Sequence, residues 1–248
     1  MLSPFQVFLV ALYLFFFGSI AGWVLELFFR RFFSRANPDR QWLNPGFLIG
    51  PYLPLYGCGT VVLFVLSSLK APLLGLVADV WILDLIWFVV VTIAMTVLEY
   101  IAGLIFVRGL QVKLWDYSGQ WGNIQGIICP RFSLLWGVLA IVYYLLLYPS
   151  LVNLVEWFVR HPLSSFAVGV VFGVFAIDCA YSLHLGTLLR SKARQLDAIV
   201  DLQAFQRESQ KLGKFFTLPK YRSLSERLER FDLFVRRTPA RVSAEKTK

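Results

Sequence analysis

The sequence is poor in the residues that build metal centres, disulfide frameworks and redox sites. It contains two histidines, His161 and His184, and three cysteines, Cys58, Cys129 and Cys179. The cysteines show no CxxC spacing and lie in or beside apolar segments, so no disulfide framework or zinc site follows from them. We therefore predict no metal site and no cofactor, and interpret these residues as small side chains buried among apolar ones.

Motifs for nucleotide binding and hydrolysis are also missing. The chain has no Walker A pattern, no GxSxG elbow and no HExxH motif. These patterns supply the phosphate cradle, the nucleophile and the metal ligands of the corresponding enzymes. The chain therefore cannot bind and hydrolyse a nucleotide by itself.

Charged residues make up only 16% of the chain, whereas 58% are hydrophobic and 17% aromatic, and the mean hydropathy is +0.65. About 20 apolar residues suffice for a helix to cross about 30 Å of hydrocarbon. We predict an all-α, polytopic helical membrane protein with five spans, at 5–33, 47–69, 80–107, 130–149 and 163–189. The first span lacks the positive start of a signal peptide, so we expect it to stay uncleaved.

The net charge of +9 comes from cations that flank the spans, which argues against nucleic-acid binding. Cations are densest in the first loop, the third loop and the tail: Arg30, Arg31, Arg35, Arg40, Arg108, Lys113, Arg131, Arg190, Lys192 and Arg194. Cytoplasmic loops carry such an excess. The pattern predicts an N-terminus outside and a C-terminus in the cytoplasm.

Residues 190–248 are expected to form a basic cytoplasmic helical tail after a transmembrane domain at 1–189. A stripe of Leu224, Leu228, Phe231 and Val235 follows a Ser-x-x-Glu capping signature. Such a stripe among arginines suits an anionic lipid surface or a cytoplasmic protein, and a solvated helical pair is the alternative. The last residues, after Arg237, are polar and expected to be disordered.

An internal repeat is predicted for 12–69 and 85–149, leaving 163–189 as a fifth span. Val-Leu-Glu ends at Glu26 and again at Glu99, and Trp42, Asn44 and Pro51 then align with Trp121, Asn123 and Pro130. Both hairpins run in the same direction, so the repeat is parallel. The alternative is a chance alignment within the narrow alphabet of membrane sequences.

Apolar triplets precede the aligned prolines, namely 47–49 and 126–128. Proline suits the first turn of a helix, so we expect helices to begin near Pro51 and Pro130. The triplets would then be short re-entrant segments, tolerated where their backbone lines a cavity or is buried in protein. Alternatively, the helices begin earlier and bend at proline.

Three acids, Glu26, Glu99 and Asp178, lie inside predicted spans. Such residues usually face a bundle interior or a polar path. Glu26 could instead reach the interface, and Glu99 could be a buried partner of Arg131 or of backbone N–H groups. Arg131 either snorkels to the interface or pairs with Glu99 or an anionic substrate. The motif Trp115-Asp116-Tyr117-Ser118 is typical of a turn.

Several motifs resemble the bacterial putative ABC-transporter type IV permease family: Gly22-Trp23-Val24-Leu25-Glu26, Asn44 to Tyr52, Pro54-Leu55-Tyr56-Gly57, Leu98-Glu99-Tyr100, Trp115 to Ser118, and Phe132 to Gly137. The resemblance covers about residues 12 to 150. It implies a permease of the bacterial inner membrane, and the absence of an ATPase motif then implies a separate nucleotide-binding subunit. Because five spans enclose little space, a second copy of the chain or another subunit is also expected.

We therefore expect a permease, and not an enzyme, whose polar path for a small solute is lined by Glu26, Glu99, Asp178, Arg131, Asn44, Asn123, Tyr52 and Tyr56. One alternative is an intramembrane enzyme that acts on a lipid, with Glu99 as general base and Arg131 binding phosphate. Another is a non-catalytic scaffold whose basic tail binds a partner or anionic lipid.

Overall fold

The computed structural model describes residues 3–34, 37–73, 79–161, 163–195 and 200–201. Its α-helices are α1 (Pro4–Phe32), α2 (Pro54–Leu73), α3 (Val80–Leu104), α4 (Pro130–Val142), α5 (Tyr148–Arg160) and α6 (Ser164–Gln195). Two π-helical segments, Ile105–Leu110 and Tyr143–Leu147, extend α3 and join α4 to α5. Two short strands, β1 (Val112–Lys113) and β2 (Val200–Asp201), pair in parallel.

In the described part of the chain, four helices are long and apolar enough to cross a membrane: Pro4–Phe32, Val80–Leu110, Pro130–Arg160 and Ser164–His184. A fifth apolar helix, Pro54–Lys70, is shorter. The protein is thus an all-α polytopic membrane protein, as its sequence predicts. The fourth helical rod runs on to Arg160, well beyond the expected end at residue 149, because the apolar side of α5 packs into the core.

The two prolines of the repeat behave differently. Pro130 occupies the first turn of α4, after Cys129 as N-cap, which confirms the prediction there. The expectation that Pro51 lies in the first turn of a helix is wrong, since α2 begins at Pro54. Leu53, just before that helix, donates its N–H to the carbonyl of Ser19 on α1 at 3.0 Å, which holds this stretch outside any helix.

The chain folds into two compact units. The first comprises Met1–Gly22, Tyr52–Ala102 and Tyr117–Phe175. Its core joins residues from every one of these segments: Val10, Leu14, Phe16, Leu63, Trp87, Val91, Met95, Ala140, Tyr143, Leu151, Val155, Phe158 and Val168. The apolar face of α5 contributes three of them and stacks Phe158 on Tyr13 with ring centroids 4.6 Å apart.

Close backbone approach holds α1 against α2 in the first unit. A Cβ added to Gly22 would lie 2.3 Å from Cβ of Tyr56, and one added to Gly18 would meet the Thr60 side chain. On the opposite helix, Gly57 faces Ser19 in the same way. Small residues at such spacing let membrane helices approach closely, so these glycines are packing residues.

The second unit comprises Trp23–Pro51, Gly103–Asp116 and Ala176–Lys248. It gathers the C-terminal ends of α1 and α6 and the π-helical end of α3. The predicted domain boundary at residue 189 lies inside α6, and the residues of the predicted tail stripe lie outside the described residues. The tail therefore stays a prediction.

Candidate functional site

The carboxylate of Asp178 on α6 holds the loop between α1 and α2. Its two oxygens accept the backbone N–H groups of Ile49, at 3.0 Å, and Gly50, at 2.7 Å. The Ser182 hydroxyl, one helical turn further on, donates to the same carboxylate at 3.0 Å. Hydrogen bonds to an ionised acceptor are about twice as strong as neutral ones, so this cluster fixes the loop to α6.

Asn44 organises the same loop from its other end. The Asn44 side-chain amide donates to the carbonyl of Leu48 at 2.8 Å, and its oxygen accepts the N–H of Gly46 at 3.1 Å and the indole N–H of Trp23 at 2.8 Å. Since Trp23 lies on α1, Asn44 ties the loop to that helix as well. The Asn44 side chain is thus fully used within the protein.

The apolar triplet of this loop is non-helical and packed. Leu48 is buried, and the Phe47 ring meets Phe106 edge to face with centroids 5.3 Å apart. Non-helical backbone at membrane depth requires internal partners for its polar groups, and Asn44 and Asp178 supply several of them. The position of the loop within a bilayer stays a prediction.

In the first unit, Glu99 is the most deeply buried acid of the described residues, with 2% of its surface exposed. Its Oε1 accepts the Tyr117 hydroxyl at 3.0 Å. Tyr117 also stacks face to face on Phe132 of α4, with centroids 4.3 Å apart, and donates its backbone N–H to the carbonyl of Gly126 at 2.8 Å. One tyrosine of the Trp-Asp-Tyr-Ser motif therefore connects α3, α4 and the loop between them.

Asn123 stabilises the loop between α3 and α4 through side-chain hydrogen bonds to its backbone, as Asn44 does in the loop between α1 and α2. Its amide donates to the carbonyls of Ser118, at 3.1 Å, and Gln120, at 2.9 Å, while its oxygen accepts the N–H of Gly126 at 3.1 Å. The loop turns through Gly126, whose φ of 67° suits glycine. Both aligned asparagines are thus loop organisers with similar bonding.

Glu26 and Glu99 do not share the same surroundings. Glu26 forms an ion pair of 2.9 Å with Arg30, one turn later on α1, and Arg30 is itself buried. Glu99 has Gly103 at the corresponding position. Glu26 belongs to the second unit and Glu99 to the first, so the polar path predicted to include both acids stays a prediction.

The remaining predicted site residues have the following surroundings. Arg131 is exposed on the first turn of α4, and its side chain forms no hydrogen bond or ion pair with Glu99 or with any other described residue. Tyr52 packs edge to face on Phe175, and Tyr56 lies against Trp136 with centroids 5.2 Å apart. Asp116 pairs with Lys113 at 3.5 Å. Within the second unit, the structure thus brings Asn44 and Asp178 to the same loop. Within the first unit, it joins Tyr117 to Glu99 and holds Asn123 in the same loop as Tyr117.

One cluster was missed by the sequence reasoning. Lys70 at the end of α2 is buried, pairs with Asp84 at 2.8 Å, and lies 4.1 Å and 4.9 Å from the ring centroids of Tyr144 and Trp87. Tyr144 belongs to the π-helical segment Tyr143–Leu147, and such segments often occur at functional sites. A lysine after an apolar run, with acids nearby, was the only sequence signal. Over the described ranges, no group of three or more His, Cys, Asp or Glu residues could hold a metal ion.

The model of one protein family, described as "Putative ABC-transporter type IV", matches residues 13–183. The matched region contains both loops, all three acids and most of the described helices. No curated protein and no solved structure matches the chain.

Proposed function

Because the match spans residues 13–183 of 248, the chain belongs to the family described as putative ABC-transporter type IV, and we propose that it is a permease or permease-like subunit that moves a small solute. It acts by transport and not by chemistry on its substrate. Within the first unit, Glu99 is the central residue of its polar path, with the Tyr117 hydroxyl beside it.

The burial of Glu99 is the observation that supports this proposal most. The residue is 2% exposed and lies in Val80–Leu110, a helix long enough to cross a membrane. An acid at the centre of a spanning helix costs at least about 2.5–3.5 kcal/mol on insertion scales, and such acids mark substrate and ion pathways. The Tyr117 hydroxyl beside it offers a second polar group that could exchange partners with a solute.

The energy source is proposed to lie in another protein. The sequence contains no nucleotide-binding motif, so ATP-driven transport would require a separate nucleotide-binding subunit. We further propose a second copy of the chain or another membrane subunit, because four or five spanning helices enclose little space. The site of action is proposed to be the bacterial inner membrane, with the N-terminus outside.

Transport by proteoliposomes tests the proposal. The full chain, purified with any ATPase that accompanies it, is reconstituted and offered a defined mixture of amino acids, sugars, nucleosides and inorganic ions, and mass spectrometry reads the lumen. We expect at least one solute to accumulate relative to empty liposomes, and Glu99→Gln to abolish this uptake while leaving the fold intact.

The matched control is Glu156→Gln. Glu156 is exposed on α5 and pairs only with Arg160 among the described residues, so its loss should leave uptake unchanged. Wild-type liposomes that take up nothing beyond the empty ones, with and without ATP, would rule the permease out.

A further inference from the structure

The loop between α3 and α4 carries a large apolar surface that no described residue covers. Trp121 is 87% exposed and Ile124 is 53% exposed. This exposure does not come from a loose loop, because the three hydrogen bonds of Asn123 and the Tyr117–Gly126 backbone bond fix the chain on both sides of Trp121. A fixed, uncovered tryptophan points to an external partner that accepts its ring.

The position of Trp121 in the fold identifies that partner. The next residue, Gly122, lies against the ring of Pro130, because a Cβ built there would be 3.1 Å from Pro130 Cγ. Trp121 is thus held at the N-terminal end of α4. The exposed face of α4 begins at the same end with Arg131 and continues with Leu134 and Val138, spaced three and four residues apart.

Leu134 and Val138 are 58% and 51% exposed on a helix of a membrane protein, so lipid chains cover this face. Arg131 and Trp121 lie at the N-terminal end of this face. Tryptophan favours the headgroup level of a bilayer, and arginine binds phosphate oxygens through two parallel hydrogen bonds. Arg131 makes no such bond within the described residues, which leaves its guanidinium available for a ligand.

The length of the helical rod agrees with this placement. Arg131 and Trp157 are 26 residues apart on the rod Pro130–Arg160, or about 39 Å at about 1.5 Å per residue. A bilayer with its headgroups is about 40–45 Å thick. Trp157 is 51% exposed near the other end of the rod, so the helical path between the two residues is about as long as one bilayer is thick.

We propose that Trp121, Ile124 and Arg131 form a lipid-binding surface that lies in the headgroup layer, where Arg131 binds the phosphate of an anionic phospholipid. The loop is then a membrane contact. This inference does not depend on transport, so its test is independent of the uptake assay.

Fluorescence quenching tests the depth of Trp121. The full chain and Trp121→Phe are compared in nanodiscs of phosphatidylcholine and phosphatidylglycerol, with iodide as the aqueous quencher or with lipids brominated close to the headgroup. The substitution is at an exposed ring and should leave the fold intact. The difference in fluorescence between the full chain and Trp121→Phe is the emission of Trp121. We expect the brominated lipid to quench this emission more strongly than iodide does. Stronger quenching by iodide would overturn the proposal.

Spin-labelled lipids test Arg131. We expect Arg131→Gln to lower the preference of the protein for phosphatidylglycerol over phosphatidylcholine by roughly twofold to fivefold, since one arginine near an anionic surface contributes attraction of this order. Arg160→Gln is the control, because Arg160 is already paired with Glu156 at 3.1 Å. Inorganic phosphate should not displace the lipid. An unchanged preference in Arg131→Gln, or displacement by free phosphate, would refute the lipid site.

Discussion

Asp178 Oδ2 lies 2.7 Å from the backbone nitrogen of Gly50, a residue 128 positions earlier in the chain. With the second bond from Ile49, the carboxylate replaces the backbone partners that this non-helical segment lacks. Asp178, which the sequence analysis places in a polar path, therefore also stabilises the loop between α1 and α2.

Replacing Asp178 by Asn should loosen this loop. The new side chain keeps one acceptor oxygen but turns an N–H donor toward the second backbone N–H, and bonds to a charged acceptor contribute about 1.5–3 kcal/mol. We expect faster hydrogen exchange at Ile49 and Gly50. Ser182→Ala is the control, since it removes a hydroxyl and leaves both amide bonds, and equal exchange in Asp178→Asn and wild type would contradict the prediction.

The two aligned asparagines should respond alike. Asn44→Ala and Asn123→Ala each remove an oxygen that accepts a glycine N–H and an amide that donates to loop carbonyls. Each should lower the free energy of unfolding by roughly 1–3 kcal/mol, whereas Asn153→Ala on the exposed side of α5 should stay within about 0.5 kcal/mol of wild type. A large effect at only one of the pair would argue against equivalent roles in a repeat.

Tyr117→Phe isolates the bond to Glu99. It keeps the ring that stacks on Phe132 but removes the hydroxyl, so a buried carboxylate oxygen loses a donor at a cost of about 1–3 kcal/mol. A double-mutant cycle with Glu99→Gln measures the coupling of the two side chains by thermal unfolding in nanodiscs. Additive effects would mean that the two groups do not interact in the folded protein.

Gly22→Ala should disrupt the contact of α1 with α2. The new methyl would lie 2.3 Å from Tyr56, and relief of such overpacking typically costs about 1–3 kcal/mol. Gly169→Ala on α6 is a matched control, because nothing lies within 4 Å of its added Cβ and alanine favours a helix. Equal stability of the two variants would show that the close approach is absent in the membrane.

Reporter fusions test the orientation that the cations predict. Fusions after Arg35, Lys70, Lys113, Arg160 and Arg194 should report inside, outside, inside, outside and inside, because cytoplasmic loops carry the excess of Lys and Arg. Two neighbouring fusions on the same side would remove one of the five predicted spans, and the short α2 is the first candidate.

The sequence predicts the helices better than it predicts the site. Apolar length predicted α3, and the proline at position 130 predicted the start of α4, because both signals lie within the segment itself. The start of α2 was predicted wrongly because Pro51 and Pro54 both suit the first turn of a helix. The hydrogen bond from the Leu53 N–H to the Ser19 carbonyl, a contact between distant parts of the chain, distinguishes the two. Local patterns also gave the turn around Tyr117, but not the contact of its hydroxyl with Glu99.

Long-range contacts account for most of what was missed. Lys70 and Tyr144 are 74 residues apart, and nothing in the sequence around either one marks the other as its partner. The same holds for Asp178 and the loop at Gly50. In each case the side-chain chemistry was visible in the sequence, whereas the geometry that gives it a role arises only when distant helices pack.

The π-helical segment Tyr143–Leu147 sets the rotation of α5 about the helix axis relative to α4. The number of residues in this segment is therefore constrained as well as their identity. The segment lies between α4 and the part of α5 that buries Leu151, Val155 and Phe158. Removing one residue there would turn everything beyond it by about 100° relative to α4, since each helical residue adds that angle. Single-residue deletions in this segment should therefore expose the apolar face of α5, while conservative replacements at the same positions should be tolerated.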